Sequence, residues 1–357
     1  MVIFMDQPMR IGGRTVAPGD RAVIRLPVTT GLNGAELALW VHAVRGRAPG
    51  PVLALLSTLH GGEWFSVDVV RQVVTGLDPA SLRGTVLAVP VANPPALRLQ
   101  TRNMPDESDS PDMNRIFPGV HTWTSDQLVR TIAREVLTHA SCLMDFHMGP
   151  WGSAFLDILV GDDFPRPGLS DETERLALAF GSPIVRRASV VGGFPGPRAS
   201  IGYAGGVLGI PALGVEVGGV GFGRRLEDRW RQMTVDGIRA VMGALGMLDG
   251  TPDPRPPRQL VYRTGHRVNP TKGGFLRSRL GGDALGREVE RGALLGEVVS
   301  PYTFETLEEL RAPVRGALFY VARDYPVRPG DWAYGLANTE DGTARWVEHA
   351  RTTGGPR

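Results

Sequence analysis

Apolar and polar positions along this chain follow different periods in different stretches, and the changes of period divide it. Over residues 1–50 the texture is that of strands and turns. Residues 35–41 alternate with period two, and 15–20 carry turn chemistry around Pro18-Gly19-Asp20. From 51 to 250, short apolar runs at 52–57, 85–91, 142–146, 155–160 and 212–217 predict buried strands. Between them, longer stretches at 64–76, 125–140, 171–181 and 226–248 predict helices. In 125–140 the residues Leu128, Val129, Ile132, Ala133, Val136 and Leu137 share one face, and Thr124 with Gln127 is spaced as a capping box. This alternation predicts an α/β layer architecture with a largely parallel sheet.

Residues 251–258 are dense in proline and read as a linker. After them, glycine-punctuated apolar runs at 273–276, 292–299 and 316–321 predict a small β-rich C-terminal domain over 259–357, with a mobile Gly- and Arg-rich tail at 350–357. The expected division is therefore N-terminal strands (1–50), an α/β catalytic domain (51–250), the linker, and the β-rich domain.

Composition changes this picture little. A chain of 357 residues that is 42% hydrophobic builds a substantial core. Its 39 basic and 37 acidic residues leave a net charge of +2, which supplies no electrostatic drive toward nucleic acid or an anionic membrane. The single cysteine, Cys142, excludes an intrachain disulfide and a cysteine-rich metal site, and its apolar neighbours predict a buried core residue. The first residues lack the basic-then-apolar pattern of a secretory leader, and no run reaches bilayer length, so a cytoplasmic protein is expected.

Chemistry concentrates at the ends of the apolar runs. His60-Gly61-Gly62-Glu63 follows the run 52–57 and precedes a helix start, so an imidazole and a carboxylate share one strand-to-helix turn. Two glycines let such a turn bend sharply and keep space beside it. Asp145-Phe146-His147 closes a second apolar run, at the strand edge where open α/β sheets bind ligands. His60, Glu63 and His147 make a two-histidine, one-glutamate set able to hold zinc with one position left open. Asp145 is either a carboxylate that orients a ligand or a turn residue. Glu216 sits in a third apolar run flanked by glycine, where a carboxylate is costly unless it is paired or serves as a general base. Asn114-Arg115 presents amide and guanidinium donors suited to a substrate carboxylate, and Arg102 is a cation for a developing oxyanion. Both arginines could instead pair with the acidic stretch holding Asp106, Glu107, Asp109 and Asp112.

Five motifs in order resemble the succinylglutamate desuccinylase/aspartoacylase family of the zinc-carboxypeptidase superfamily. They are His60-Gly61-Gly62-Glu63, Asn93-Pro94 with Arg102, the run Asp112 to Gly119, Asp145-Phe146-His147, and Glu216-Val217-Gly218-Gly219. The resemblance covers residues 30–335. It implies a mixed sheet flanked by helices, with a small all-β domain at the C-terminus. It implies one Zn2+ on His60, Glu63 and His147, with Glu216 as general base and acid. It implies that Arg102 polarises the scissile carbonyl, and that Asn114 and Arg115 hold a substrate carboxylate. Phe146 and Met148 depart from the family pattern, Met148 in a place where it could reshape the pocket wall. The loop between Arg102 and Asn114 is longer than in aspartoacylase itself. None of Tyr262, Tyr302 and Tyr325 is assigned to the C-terminal position that closes the site in some members of the family.

The activity implied is that of a zinc-dependent amidohydrolase, a deacylase cutting the amide of an N-acyl amino acid or related small N-acyl amine. A metallocarboxypeptidase acting on peptides and a non-catalytic binding protein of the same fold are the rival readings. The expected partner is a small amide substrate, with no nucleic acid and no membrane, and homo-oligomer formation stays open.

Overall fold

The computed structural model describes residues 9–105, 107 and 109–349. The tail at 350–357 and Asp106 lie outside the described residues. A small hairpin, β1 (Met9–Ile11) and β2 (Arg14–Val16), precedes the long antiparallel pair β3 (Arg21–Thr30) and β4 (Glu36–Arg45). There follow β5 (Ala48–Ser57), α1 (Phe65–Gly76), β6 (Arg83–Val89), α2 (Pro94–Leu99), α3 (Thr124–Glu135), β7 (Cys142–His147) and β8 (Ser153–Gly161). Next come α4 (Leu169–Phe180), β9 (Ile184–Ala188), α5 (Ser200–Tyr203), β10 (Ala212–Gly218) and α6 (Arg224–Ala244).

The centre of the sheet is parallel: β6, β5, β7 and β10 lie side by side and point the same way. β8 runs antiparallel beside β10, and β4 antiparallel beside β6, so the whole sheet is mixed. Every residue of β7 is buried, because helices and loops cover both faces; this is why its sequence reads as a continuous apolar run. β3, at the sheet edge, alternates exposed and buried residues. On one face α1, α4 and α6 pack together over Leu53, Leu55, Met144 and Ile158. On the other, α3 and neighbouring loops cover Ala54, Leu56, Leu87 and Leu143.

The C-terminal strands are β11 (Arg258–Tyr262), β12 (Gly265–Val268), β13 (Gly274–Ser278), β14 (Glu288–Val289), β15 (Leu294–Val299), β16 (Thr306–Arg311), β17 (Gly316–Ala322), β18 (Tyr325–Val327), β19 (Tyr334–Asn338) and β20 (Arg345–Glu348). They divide between two sheets. β17 pairs with β8, and β11 pairs with β9, which carries the main sheet outward to fourteen strands. β13, β15, β16 and β18 form a separate four-stranded sheet.

Two local expectations change. The capping box at α3 does not form: Gln127 donates to the Thr122 carbonyl instead. Glu107 from the preceding acidic loop caps the helix, accepting from the Ser125 backbone N–H at 2.9 Å and from its hydroxyl at 2.6 Å. β9 was invisible to the hydrophobic pattern because it carries two arginines; Arg186 pairs with Asp157 and Arg187 with Glu174. Cys142 is fully buried as expected, and burial pushes its thiol up to about 12. No helix among the described residues is long and apolar enough to cross a membrane.

Leu55 is fully buried at the middle of the sheet, paired with Ala88 and Met144. Leu55→Ala should lower unfolding stability by about 2–5 kcal/mol, measured by urea denaturation.

Candidate functional site

The parallel strands β5, β7 and β10 end at the same edge of the sheet, and His60, His147 and Glu216 stand at those ends. The turn after β5 is built differently from its sequence signature. Neither Gly61 nor Gly62 has a left-handed backbone; Thr58 does, at φ 59°. Gly61 is needed for close approach instead, since a Cβ there would lie 2.0 Å from the carbonyl carbon of Ala96. Asn93 clamps the same contact. Its side-chain oxygen accepts from Ala96 N–H at 3.2 Å, capping α2, while its amide donates to the Leu59 carbonyl at 3.1 Å. The sequence motif Asn93-Pro94 carried no assigned role; it fastens the His60 turn to α2.

Glu63 lies between the two histidines. Its Oε2 is 2.8 Å from His147 Nδ1, and its Oε1 is 2.9 Å from His60 Nδ1. The far nitrogens face other carboxylates: His60 Nε2 is 2.9 Å from Asp112 Oδ1, and His147 Nε2 is 2.9 Å from Asp145 Oδ2. Both rings thus turn Nδ1 inward. The His60–Glu63 approach misses hydrogen-bond angles, and His60 Nδ1 is a buried polar atom without a hydrogen-bond partner. Donor atoms of His60, Glu63 and His147 all lie within 4.8 Å of one another, and all three residues are buried. Two inward imidazole nitrogens and a carboxylate, each ring braced from behind by a carboxylate, fit a metal ion.

The electrostatics point the same way. Burial opposes charge on His60, but Glu63 and Asp112 outweigh it and raise its pKa; His147 is raised well above its usual value by Asp145 and Glu63 against the same penalty. Burial alone would lift the Glu63 carboxyl, yet the two imidazoles hold it below the ordinary carboxylate range. The carboxylate cluster demands positive charge at its centre, from protons or from a cation.

Asp145 and Asp112 therefore stand where carboxylates orient both rings; the sequence singled out Asp145 for this and missed Asp112. Asp145 is held in turn by the Ser200 hydroxyl, a residue that no sequence motif marked. Asn114 spends its amide on the same framework: its oxygen accepts from Ser200 N–H at 2.8 Å, and Nδ2 lies 3.1 Å from His147 Nε2. Arg102 is half-exposed and bridges Glu63 Oε1 at 3.2 Å and Asp112 Oδ2 at 3.1 Å. Of the acidic stretch beside it, Asp112 is the carboxylate it meets, while Glu107 is turned away to α3. Arg115 lies 4.0 Å from Asp112 and 4.7 Å over the ring of Phe194, an exposed residue of the 189–198 loop.

Glu216 stands abreast of His147 in the parallel pairing of β10 and β7, so the two side chains leave the same face of the sheet. It makes no side-chain hydrogen bond among the described residues. Burial pushes its carboxyl up to about 7; His147 and Arg186 work against this, while Glu63 and Asp157 add to it. A poised carboxylate beside a cluster that could hold a metal can pass protons near neutral pH. Met148 is buried and belongs to the apolar cluster that also holds Phe65 and Val69 of α1.

Comparison with known proteins places these residues in context. The profile of the succinylglutamate desuccinylase/aspartoacylase catalytic domain matches residues 49–244. Among curated proteins, the N-alpha-acetyl-L-2,4-diaminobutyric acid deacetylase of Halomonas elongata is 25% identical over 167 residues, 45% of this chain and 46% of that protein. The match thus spans about half the length of that relative. A succinylglutamate desuccinylase/aspartoacylase structure from Rhodobacter sphaeroides superposes with a TM-score of 0.74 at 22% identity, covering 89% of this chain and 94% of that one. The product-bound ectoine utilization protein EutE (DoeB) from Ruegeria pomeroyi gives 0.76 at 20% identity, covering 93% and 100%. At these identities the superpositions establish a shared fold.

The two glycines of the turn should differ sharply on substitution. At Gly62 a Cβ meets nothing closer than 3.3 Å, whereas at Gly61 it would strike backbone. Gly61→Ala should destabilise the protein by several-fold more than Gly62→Ala, read from urea midpoints of the two variants; equal midpoints would contradict the contact.

Proposed function

This chain belongs to the succinylglutamate desuccinylase/aspartoacylase family, and on that premise we propose that it is a zinc-dependent amidohydrolase removing the acyl group from an N-acyl amino acid or related small N-acyl amine. The observation that carries the reading is the convergence of His60, Glu63 and His147 with Glu216 abreast of His147. The curated relative is by name a deacetylase of an N-acetylated amino acid, which suits the same substrate class.

His60 Nδ1, His147 Nδ1 and the Glu63 carboxylate would hold the zinc, whose ligand preferences they match. Bound there, the ion would supply Lewis-acid polarisation of a water and of the scissile carbonyl. Glu216 in its ionised form takes the proton of the attacking water and then delivers it to the leaving amine. Arg102 keeps further N–H donors beyond its two carboxylate contacts and turns them to the developing oxyanion. Arg115, with the N–H donors of the Asn114 amide, holds a substrate carboxylate; the Phe194 ring fixes the plane of its guanidinium.

Three measurements test the scheme. Chelation should abolish hydrolysis across a panel of N-acetyl and N-succinyl amino acids, and zinc should restore it. Glu216→Gln should keep zinc stoichiometry and lose about 10²–10⁴ in kcat, and Arg102→Ala about 10²–10³. Because the base form of Glu216 grows as pH rises through its pKa, kcat/KM should fall on the acid side. Without metal that pKa is about 7; a dication nearby favours the ionised form and moves the limb downward. Glu216→Gln should erase the limb. Cleavage confined to peptides would favour a carboxypeptidase instead.

A further inference from the structure

The sheet face that carries His147 and Glu216 continues across β8 and β9, and a second charged cluster lies there that the reaction above does not use. Asp157 stands directly opposite Glu216 in the antiparallel pairing of β8 with β10. It is fully buried. Its Oδ2 accepts from the hydroxyl of Tyr262, also fully buried, at 3.0 Å, and lies 3.2 Å from Nε of Arg186 on β9. A buried carboxylate needs a cation, and Arg186 serves it through the Nε side of its guanidinium. Its two terminal nitrogens make no hydrogen bond among the described residues, and the side chain keeps 20% of its surface exposed.

A second guanidinium shares this platform. Arg267 on β12 stacks on Trp332 at 3.8 Å, and Arg186 lies over Phe319 at 6.0 Å. Phe155 joins the two rings, 6.4 Å from Phe319 and 6.0 Å from Trp332, and pairs with Gly218, two residues past Glu216. Among the described residues no carboxylate lies within ion-pair distance of Arg267. Two guanidinium groups thus share one aromatic bed; Arg186 answers to Asp157 in contact and to Glu216 at longer range, while Arg267 meets no carboxylate there, and burial together with Arg186 holds the pKa of Arg267 down. An unbalanced positive charge on a rigid bed is suited to an incoming anion, and planar guanidinium groups match a carboxylate.

Position gives the anion its place. With strands roughly 4.8 Å apart, β9 lies about 10 Å from β10 across the face. Arg102 and Arg115 stand on the opposite side, next to His60 and Asp112. Cations therefore flank both ends of the row formed by His147, Glu216 and Asp157. We propose that Arg186 and Arg267 form an anion subsite that binds a carboxylate on the end of the substrate remote from the scissile amide. The proposal rests on the amidohydrolase reading for the identity of the substrate, so its test reads binding without turnover.

Dicarboxylates from succinate to suberate, each matched with the monocarboxylate of equal carbon number, would be titrated calorimetrically into the zinc-loaded protein. At least one dicarboxylate should bind more tightly than its match. In Arg267→Ala that preference should shrink by about ten-fold, with monocarboxylate binding unchanged. Arg186→Gln should do the same; because it also leaves Asp157 without its cation, the exposed Arg267 variant decides. A preference absent in the wild type, or intact in Arg267→Ala, overturns the subsite. A dicarboxylate preference lost in Arg267→Ala, in a protein that hydrolyses no amide, upholds the subsite and removes the hydrolase reading.

Discussion

The Glu63 carboxylate, lodged between two buried imidazoles, is the interaction on which the site depends. Three carboxylates converge on two histidines: Glu63 from inside, Asp112 and Asp145 from behind. No part of this cluster is stable as isolated charges in a dry interior. It persists because each ring is shared by two acids, and because the cluster as a whole calls for a cation at its centre. The braces are themselves braced. Arg102 spans Glu63 and Asp112, Ser200 holds Asp145, and Asn114 is oriented by the Ser200 backbone. Residues from four separate segments thus fix the direction of two nitrogen lone pairs.

Much of this was legible in the sequence, for identifiable reasons. The strands β5, β7 and β10 read as apolar runs because both faces of the sheet are covered there, and a polar residue at the end of such a run stands out. His60, His147 and Glu216 were visible for that reason. What stayed hidden were residues whose role comes from contacts distant in sequence. Asp112 lay in an acidic stretch where any of several carboxylates could meet the arginines. Ser200 belongs to no motif, and the pattern predicts no element around it. β9 falls in none of the apolar runs because its arginines find Asp157 and Glu174 only after folding. The glycines of the turn point to a sharp bend with space beside it; the structure adds that Gly61 is required for tight packing against α2, with neither glycine left-handed.

The charges on the two sides of the row are organised by different means. Next to His60, Arg102 and Arg115 meet acids on loops and keep solvent contact. Beyond Glu216, Arg186 and Arg267 rest on aromatic rings, with Asp157 and Tyr262 buried beneath them. Loop-borne cations adapt to what arrives, while sheet-borne ones present a fixed spacing. The second kind suits recognition by length.

The abreast placement of Glu216 and His147 has a consequence for how this gene tolerates change. Side chains of a strand alternate between faces, so a shift of β10 by one residue would carry Glu216 to the side covered by α6. Insertions or deletions of a single codon inside β10, ahead of Glu216, therefore act on chemistry as severely as a substitution of Glu216 itself. Length changes in the stretch between Arg102 and Asp112 leave that pairing untouched. Divergence among descendants of this chain is thus free to lengthen and shorten the loops around the site, while the spacing inside β10 stays locked to the spacing inside β7.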